Sequence, residues 1–127
     1  MPKVWRIVDL IQWSESYFRE KSHQNPRLEI EWMLCSLLNC ERLDLYMRFD
    51  EPLSGSQLST LRGWVKRRSK NEPLQYITES CEFYGIEFFV DKRVLIPRPE
   101  TERLIDEAIK SIKHVRSPNI FDIGTGS

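Results

Sequence analysis

The sequence has no Cys-x-x-Cys pair, only three cysteines (Cys35, Cys40 and Cys81), and two histidines, His23 and His114, that stand far from them. An odd count without ligand spacing argues against a disulfide framework and against a zinc site, so no metal is expected. The thiols read instead as small apolar groups in a reducing, cytoplasmic compartment. Charge of one sign is missing too, because 19 Lys and Arg balance 19 Asp and Glu. The chain as a whole offers no field that would gather nucleic acid or an acidic membrane, and no direct nucleic-acid or membrane partner is expected. Long apolar runs are also absent, since Lys3, Arg6, Asp9 and Glu15 break up the first residues. Neither secretion nor membrane spanning is expected.

What is present is the composition of a folded protein. The chain has 127 residues, 40% hydrophobic and 30% charged, without internal repeats or low-complexity segments. That length suits one small domain with part of another. From Val4 to Phe18 the residues Val4, Ile7, Val8, Ile11 and Phe18 lie along one helical stripe, widened by Leu10, Trp13 and Tyr17. Asn25-Pro26 predicts a helix start, with proline at the first helical position, where its missing N–H costs nothing. Ile30, Met33, Leu34, Leu37 and Leu38 then repeat at core-face spacing up to an end signal at Asn39. Leu43 to Phe49 predicts a short helical turn before Glu51-Pro52. A further helix runs from near Ser54 through Leu58, Leu61 and Val65 to the basic end Lys66, Arg67, Arg68 and Lys70. These short helices make a bundle of about 70 residues, a size that folds alone only marginally.

The pattern then changes. Phe83, Tyr84, Ile86, Phe88, Phe89 and Val90 are aromatic or β-branched, and Gly85 sits between two short runs, which predicts a hairpin. Val94-Leu95-Ile96 extends it until Pro97 and Pro99, which suit neither a helix interior nor a central strand. Leu104, Ile105, Ala108, Ile109 and Ile112 regain helical spacing, and Asn119 to Ile123 predicts a strand. That strand runs into Asp122-Ile123-Gly124-Thr125-Gly126-Ser127, a Gly-x-Gly turn through which backbone can approach an anionic or ribose-bearing ligand. A plain strand-to-helix turn explains the two glycines equally well, and a dinucleotide fingerprint needs a third. Upstream, Pro97-Arg98-Pro99-Glu100-Thr101-Glu102 is explained in part by Pro99 as a first helical residue and by Glu100 and Glu102 as complements to the helix dipole. Arg98, held between two prolines, is not.

Taken together, Asn71-Glu72-Pro73-Leu74-Gln75-Tyr76-Ile77, Phe83-Tyr84-Gly85, Val94 to Glu102 and Phe121 to Ser127 resemble the bacterial peptide chain release factor glutamine methyltransferases. The resemblance runs from about residue 26 onward, and the Pro-Arg-Pro-Glu-Thr-Glu block with its spacing to the glycine turn is the specific part. It implies a mainly α chain: a helical bundle, a β-hairpin, and the first helix and strand of a Rossmann-like α/β methyltransferase domain that is cut inside its cofactor loop. The implied division is a helical substrate-recognition domain over 1–73, a hairpin connector over 74–95, and an incomplete methyltransferase domain over 96–127. The implied activity is transfer of a methyl group from S-adenosyl-L-methionine to the side-chain amide nitrogen of the glutamine in the Gly-Gly-Gln motif of class 1 peptide chain release factors.

By the same resemblance Asp122, Gly124, Thr125, Gly126 and Ser127 match the start of the cofactor loop. Arg98, Pro99, Glu100 and Thr101 match the segment before it that lies against the cofactor. No catalytic residue is implied within this chain, because the Asn-Pro-Pro-Tyr segment that holds the substrate glutamine is not in it, so the chain alone is expected to be inactive. Glu79 departs from the family, which commonly has glycine there, and the backbone leading into the hairpin is expected to bend differently. Related alternatives are a methyltransferase acting on a ribosomal protein glutamine or a DNA adenine, or a helical interaction module without enzymatic activity. The run Lys66, Arg67, Arg68, Lys70 reads as a solvated helix end, with a patch for the release factor or ribosomal RNA as its alternative. Trp5, Trp13, Trp32 and Trp64 read as core or surface anchors, and His23 and His114 as surface residues.

Overall fold

A computed structural model describes residues 3–126. The described residues form two compact units, one ending at Thr78 and the next starting at Glu79. The first unit holds α1 (Ile7–Glu20), α2 (Pro26–Leu38), α3 (Arg42–Met47), α4 (Gly55–Arg68) and α5 (Leu74–Thr78). The second holds β1 (Ser80–Phe83), β2 (Ile86–Phe89), a single 3-10 turn (Pro99–Thr101) and α6 (Glu102–Ile112). The chain is mainly α, a helical bundle followed by a β-hairpin.

Local chemistry starts and stops the helices of the first unit. α1 begins at Ile7 rather than Val4, because Trp5 and Arg6 pair with the segment before α4. Leu53 donates to the Trp5 carbonyl at 3.0 Å, while the Ile7 and Val8 N–H groups donate to the Glu51 and Phe49 carbonyls, each at 3.0 Å. Two of the donors that a helix N-terminus leaves unpaired are thereby satisfied. Asp9 closes the cap by accepting from the Arg6 N–H at 3.1 Å. Ser54 and Gln57 cap α4 reciprocally, and Asn39 ends α2 in the left-handed conformation.

The core is built from the predicted stripes: Ile7, Leu10, Ile11 and Phe18 of α1, Ile30, Met33 and Leu34 of α2, Leu45 of α3, and Leu61 and Val65 of α4. α1 and α4 both pack on α2. Trp5 and Trp64 lean on this core, whereas Trp13 and Trp32 stay about half exposed. Leu74 to Thr78, the first residues of the connector that the resemblance implies, form α5, and Leu74 and Ile77, one helical turn apart, are both buried in the bundle.

In the second unit β1 and β2 pair antiparallel, Phe83 opposite Ile86, so that Tyr84 and Gly85 alone make the turn. Both have positive φ, +52° and +72°, the signature of a type I′ turn that follows the natural twist of the strands. Tyrosine is an unusual choice for such a position, and α6 supports it. The Tyr84 N–H donates to Glu102 at 2.8 Å and its hydroxyl to Asp106 at 2.6 Å, two acceptor carboxylates one helical turn apart. The Asp106 hydrogen bond, then burial, pushes the phenol upward.

Glu79 itself stands at φ +56°. A side chain in the left-handed region costs about 1–2 kcal/mol, which glycine avoids. Glu79→Gly should therefore stabilise the hairpin by roughly 0.5–1 kcal/mol, allowing for the greater freedom of glycine in the unfolded chain. Slower amide exchange at the β1–β2 pairs would show it, and faster exchange would mean that the Glu79 side chain compensates its own strain.

The predicted strand over Asn119 to Ile123 does not form. Among the described residues β1 and β2 are the only strands, and they pair with each other. A strand without a neighbour leaves its N–H and C=O groups to water, and Ile120, Phe121 and Ile123 are all largely exposed. α6 has the predicted apolar stripe but buries no residue.

Candidate functional site

Of the nine residues singled out by sequence, eight fall in the second unit, and Ser127 lies outside the described residues. Arg98 is extended and immediately precedes the 3-10 turn formed by Pro99, Glu100 and Thr101, which closes with the Thr101 N–H donating to the Arg98 carbonyl at 3.0 Å. The turn runs directly into α6, which is anchored to the hairpin through Tyr84. Just ahead of it, the Cys81 thiol faces the Pro97 carbonyl at 3.8 Å. The glycine turn is shaped as its composition requires: Gly124 and Gly126 stand at φ +75° and +80°. A Cβ added to Gly124 would meet open space, whereas one on Gly126 would come within 3.4 Å of the Val94 side chain. The backbone of the turn thus passes close to Val94. Among the described residues no hydrogen bond or ion pair joins Arg98, Glu100 or Thr101 to Asp122 or Thr125.

The first unit carries two charged clusters that sequence reasoning missed. Glu31 of α2 is wholly buried, yet it accepts from Arg27 at 3.0 Å, Arg42 at 2.6 Å and the Tyr46 hydroxyl at 2.7 Å. Burial by itself raises its pKa, and these hydrogen bonds outweigh it and hold the carboxyl below the ordinary range. The second cluster joins helices distant in sequence. Arg68, at the end of α4, grips Glu29 with two bonds of 2.8 and 2.9 Å and donates to the Glu72 carbonyl at 3.0 Å. His23 completes it through Nδ1, 3.2 Å from Glu29. Its side chain is only 4% exposed, so the His23 imidazole is buried and is not the surface group expected.

The basic run is correspondingly smaller than it reads. Arg68 is a tie within the bundle and Arg67 is bound to Glu72 at 2.8 Å, while Lys66 and Lys70 remain exposed. Thiol chemistry finds no support either. Burial, and then the neighbouring Cys40, pushes Cys35 up to about 11, and burial raises Cys81 as well. Neither would be a thiolate at neutral pH.

The family model for the PrmC N-terminal domain matches residues 9–78, more than half of the chain. The chain belongs to this family. Its PrmC N-terminal segment ends at Thr78, which is also the last residue of the helical unit. The similarity to curated proteins runs further. A protein of Geobacter sulfurreducens named release factor glutamine methyltransferase is 44% identical over 126 residues, which cover 99% of this chain and 44% of that protein. Proteins of the same name from Chlorobaculum tepidum and Rhodopirellula baltica are 41% and 40% identical, over 98% and 97% of the chain. The chain spans less than half the length of each, 44% and 43% for the latter two. Among the described residues no helix is long and apolar enough to cross a membrane.

Both clusters lie within the PrmC N-terminal segment, whereas the described glycine turn and the Arg98 to Thr101 block lie beyond it. A signal for the first cluster was available: Arg27 and Glu31 stand four residues apart on one helix. None was available for Arg68 and Glu29, which are 39 residues apart.

Proposed function

We propose that this chain is the N-terminal part of a methyltransferase that uses S-adenosyl-L-methionine to methylate the glutamine side-chain amide in the Gly-Gly-Gln motif of class 1 peptide chain release factors, so modulating translation termination in the cytoplasm. The observation that carries this reading is the 44% identity over nearly the whole chain to a relative that bears the name release factor glutamine methyltransferase. In this reading residues 1–73 recognise the release factor, 74–95 connect, and 96–127 begin the methyltransferase domain.

The glycine turn suits one side of such a cofactor. Positive φ at Gly124 and Gly126 turns the backbone as no other residue does cheaply, and the open face of Gly124 leaves a ligand room to approach. Asp122, Gly124, Thr125, Gly126 and Ser127 would hold the cofactor from that side, with Arg98, Pro99, Glu100 and Thr101 along its flank. The sulfonium supplies the electrophile when the cofactor is bound. An amide nitrogen is a weak nucleophile, so it must be oriented by acceptors for its protons, and this chain contributes no Asn-Pro-Pro-Tyr segment to do so. The chain alone is therefore expected to transfer no methyl group.

The test uses the complete gene product that contains this chain, radiolabelled S-adenosylmethionine and a purified class 1 release factor. Label is expected on the glutamine of the Gly-Gly-Gln motif and is expected to vanish when that glutamine is replaced by alanine. Cofactor binding with label on no glutamine would sink the substrate assignment.

A further inference from the structure

α1 and α4 both pack on α2 and leave a cleft of about 120 Å³ between them. Leu10, Trp13 and Ser14 line it from α1, with Trp5 beside them, and Leu58, Leu61, Arg62 and Val65 line it from α4. Both sets follow helical i, i+3, i+4 spacing, so the cleft is a continuous feature of two facing stripes. Its volume is well below the several hundred Å³ of a drug-sized or cofactor pocket, and suits a single apolar side chain.

Three observations on the cleft point to an occupant. Ser14 is completely buried and its hydroxyl has no hydrogen-bond partner, an arrangement that costs stability and that alanine would avoid. The aromatic wall is rigid yet accessible: Trp13 stacks on Tyr17 at 5.3 Å and meets Trp5 edge-on at 6.3 Å, while remaining 47% exposed. The α4 side of the rim is basic in a chain of zero net charge. Arg62 has no carboxylate partner among the described residues, Lys66 follows one turn along α4, and Lys3 lies over the Trp5 ring at 3.9 Å.

We propose that the cleft between α1 and α4 is the docking point for one apolar side chain, flanked by a carboxylate, on the release factor. The identity of the partner rests on the function proposed above; the chemistry of the occupant rests on the cleft alone. The side chain fills the apolar floor between Leu10, Leu61 and Val65, a polar atom of the incoming segment pairs with the Ser14 hydroxyl, and the carboxylate meets Arg62. Aromatic residues and arginine around a water-excluding pocket are the usual carriers of binding energy at protein interfaces.

The test is titration of the complete gene product that contains this chain, and of three variants of it, with a purified class 1 release factor, followed by fluorescence or calorimetry, with thermal unfolding run in parallel. Trp13→Ala should weaken binding at least tenfold. Arg62→Glu, at an exposed position that leaves the fold intact, should weaken it about tenfold at low salt and less at high salt. Ser14→Ala should raise the unfolding midpoint by a few degrees while weakening binding several-fold, a combination that a purely structural serine would not produce. Wild-type binding that all three variants retain would overturn the cleft assignment and leave the partner standing. Absence of any wild-type binding would overturn the partner and this proposal with it.

Discussion

Replacing Glu31 by alanine is expected to destabilise the helical unit by about 3 kcal/mol at neutral pH, the lower end of the range for breaking a buried ion pair. The lower end applies because Arg27 and Arg42 are each about half exposed and can return to water once the carboxylate is gone. The sharper readout is pH. Hydrogen bonds hold the folded-state pKa of Glu31 below its unfolded value, so its contribution is complete above about 4.3 and is lost as pH falls through the folded value. Glu29 is shifted in the same direction: burial opposes the shift, and the bonds from Arg68 and His23 overcome it. Denaturant unfolding from pH 7 to pH 3 should show wild-type stability falling below about pH 4.5, and Glu31→Gln should start lower and fall less. The two curves should converge in acid. A constant offset across the range would mean that Glu31 acts through its shape and not its charge.

Arg68→Ala is expected to cost about 2 kcal/mol, because it strips a mostly buried carboxylate of both its bonds to arginine and leaves Glu29 with His23 alone. Arg68 ties the end of α4 to α2, so the loss should appear as a global fall in stability and not as fraying of one terminus. A double-mutant cycle with Glu29→Gln isolates the pair. Coupling of about 1–2 kcal/mol is expected, with little dependence on salt, because both side chains are largely shielded from water. Additive losses would show that the two residues contribute independently. The same result bears on the basic run at the end of α4. Charge reversal at Arg68 would destabilise the bundle itself and so confound a binding measurement, whereas Lys66 and Lys70 are exposed and open to that test.

Much of this architecture is legible in short stretches of sequence. The stripe Ile30, Met33, Leu34 names the buried face of α2 by spacing alone, Asn25-Pro26 and Asn39 mark its two ends, and Gly85 marks the hairpin turn. Each signal depends on residues within a turn or two of one another. The strand over Asn119 to Ile123 shows the limit of this reasoning, since apolar β-branched residues state a preference for strand but pairing needs a second segment beside them. α5 shows another, because five residues after a proline carry too little periodicity to announce a helix whose burial depends on α2 and α4. The candidate cofactor residues were legible as a spacing between a proline-flanked arginine and a glycine turn. That spacing says nothing of contact, and only the turn's own φ angles and its approach to Val94 are added by the coordinates.

By itself, then, the sequence determined which faces are apolar, where helices begin and end, where backbone must take positive φ, and the likeness of the Arg98 and Asp122 blocks to one family. These are local properties, written in neighbouring residues. Only the tertiary structure decided that the His23 imidazole, Glu31 and Ser14 are buried, that Arg68 is a strut between helices, and that α1 and α4 stand apart far enough to leave a cleft. Those outcomes depend on segments tens of residues apart converging, and convergence is set by how the helices pack on α2, which no single stretch of the chain encodes.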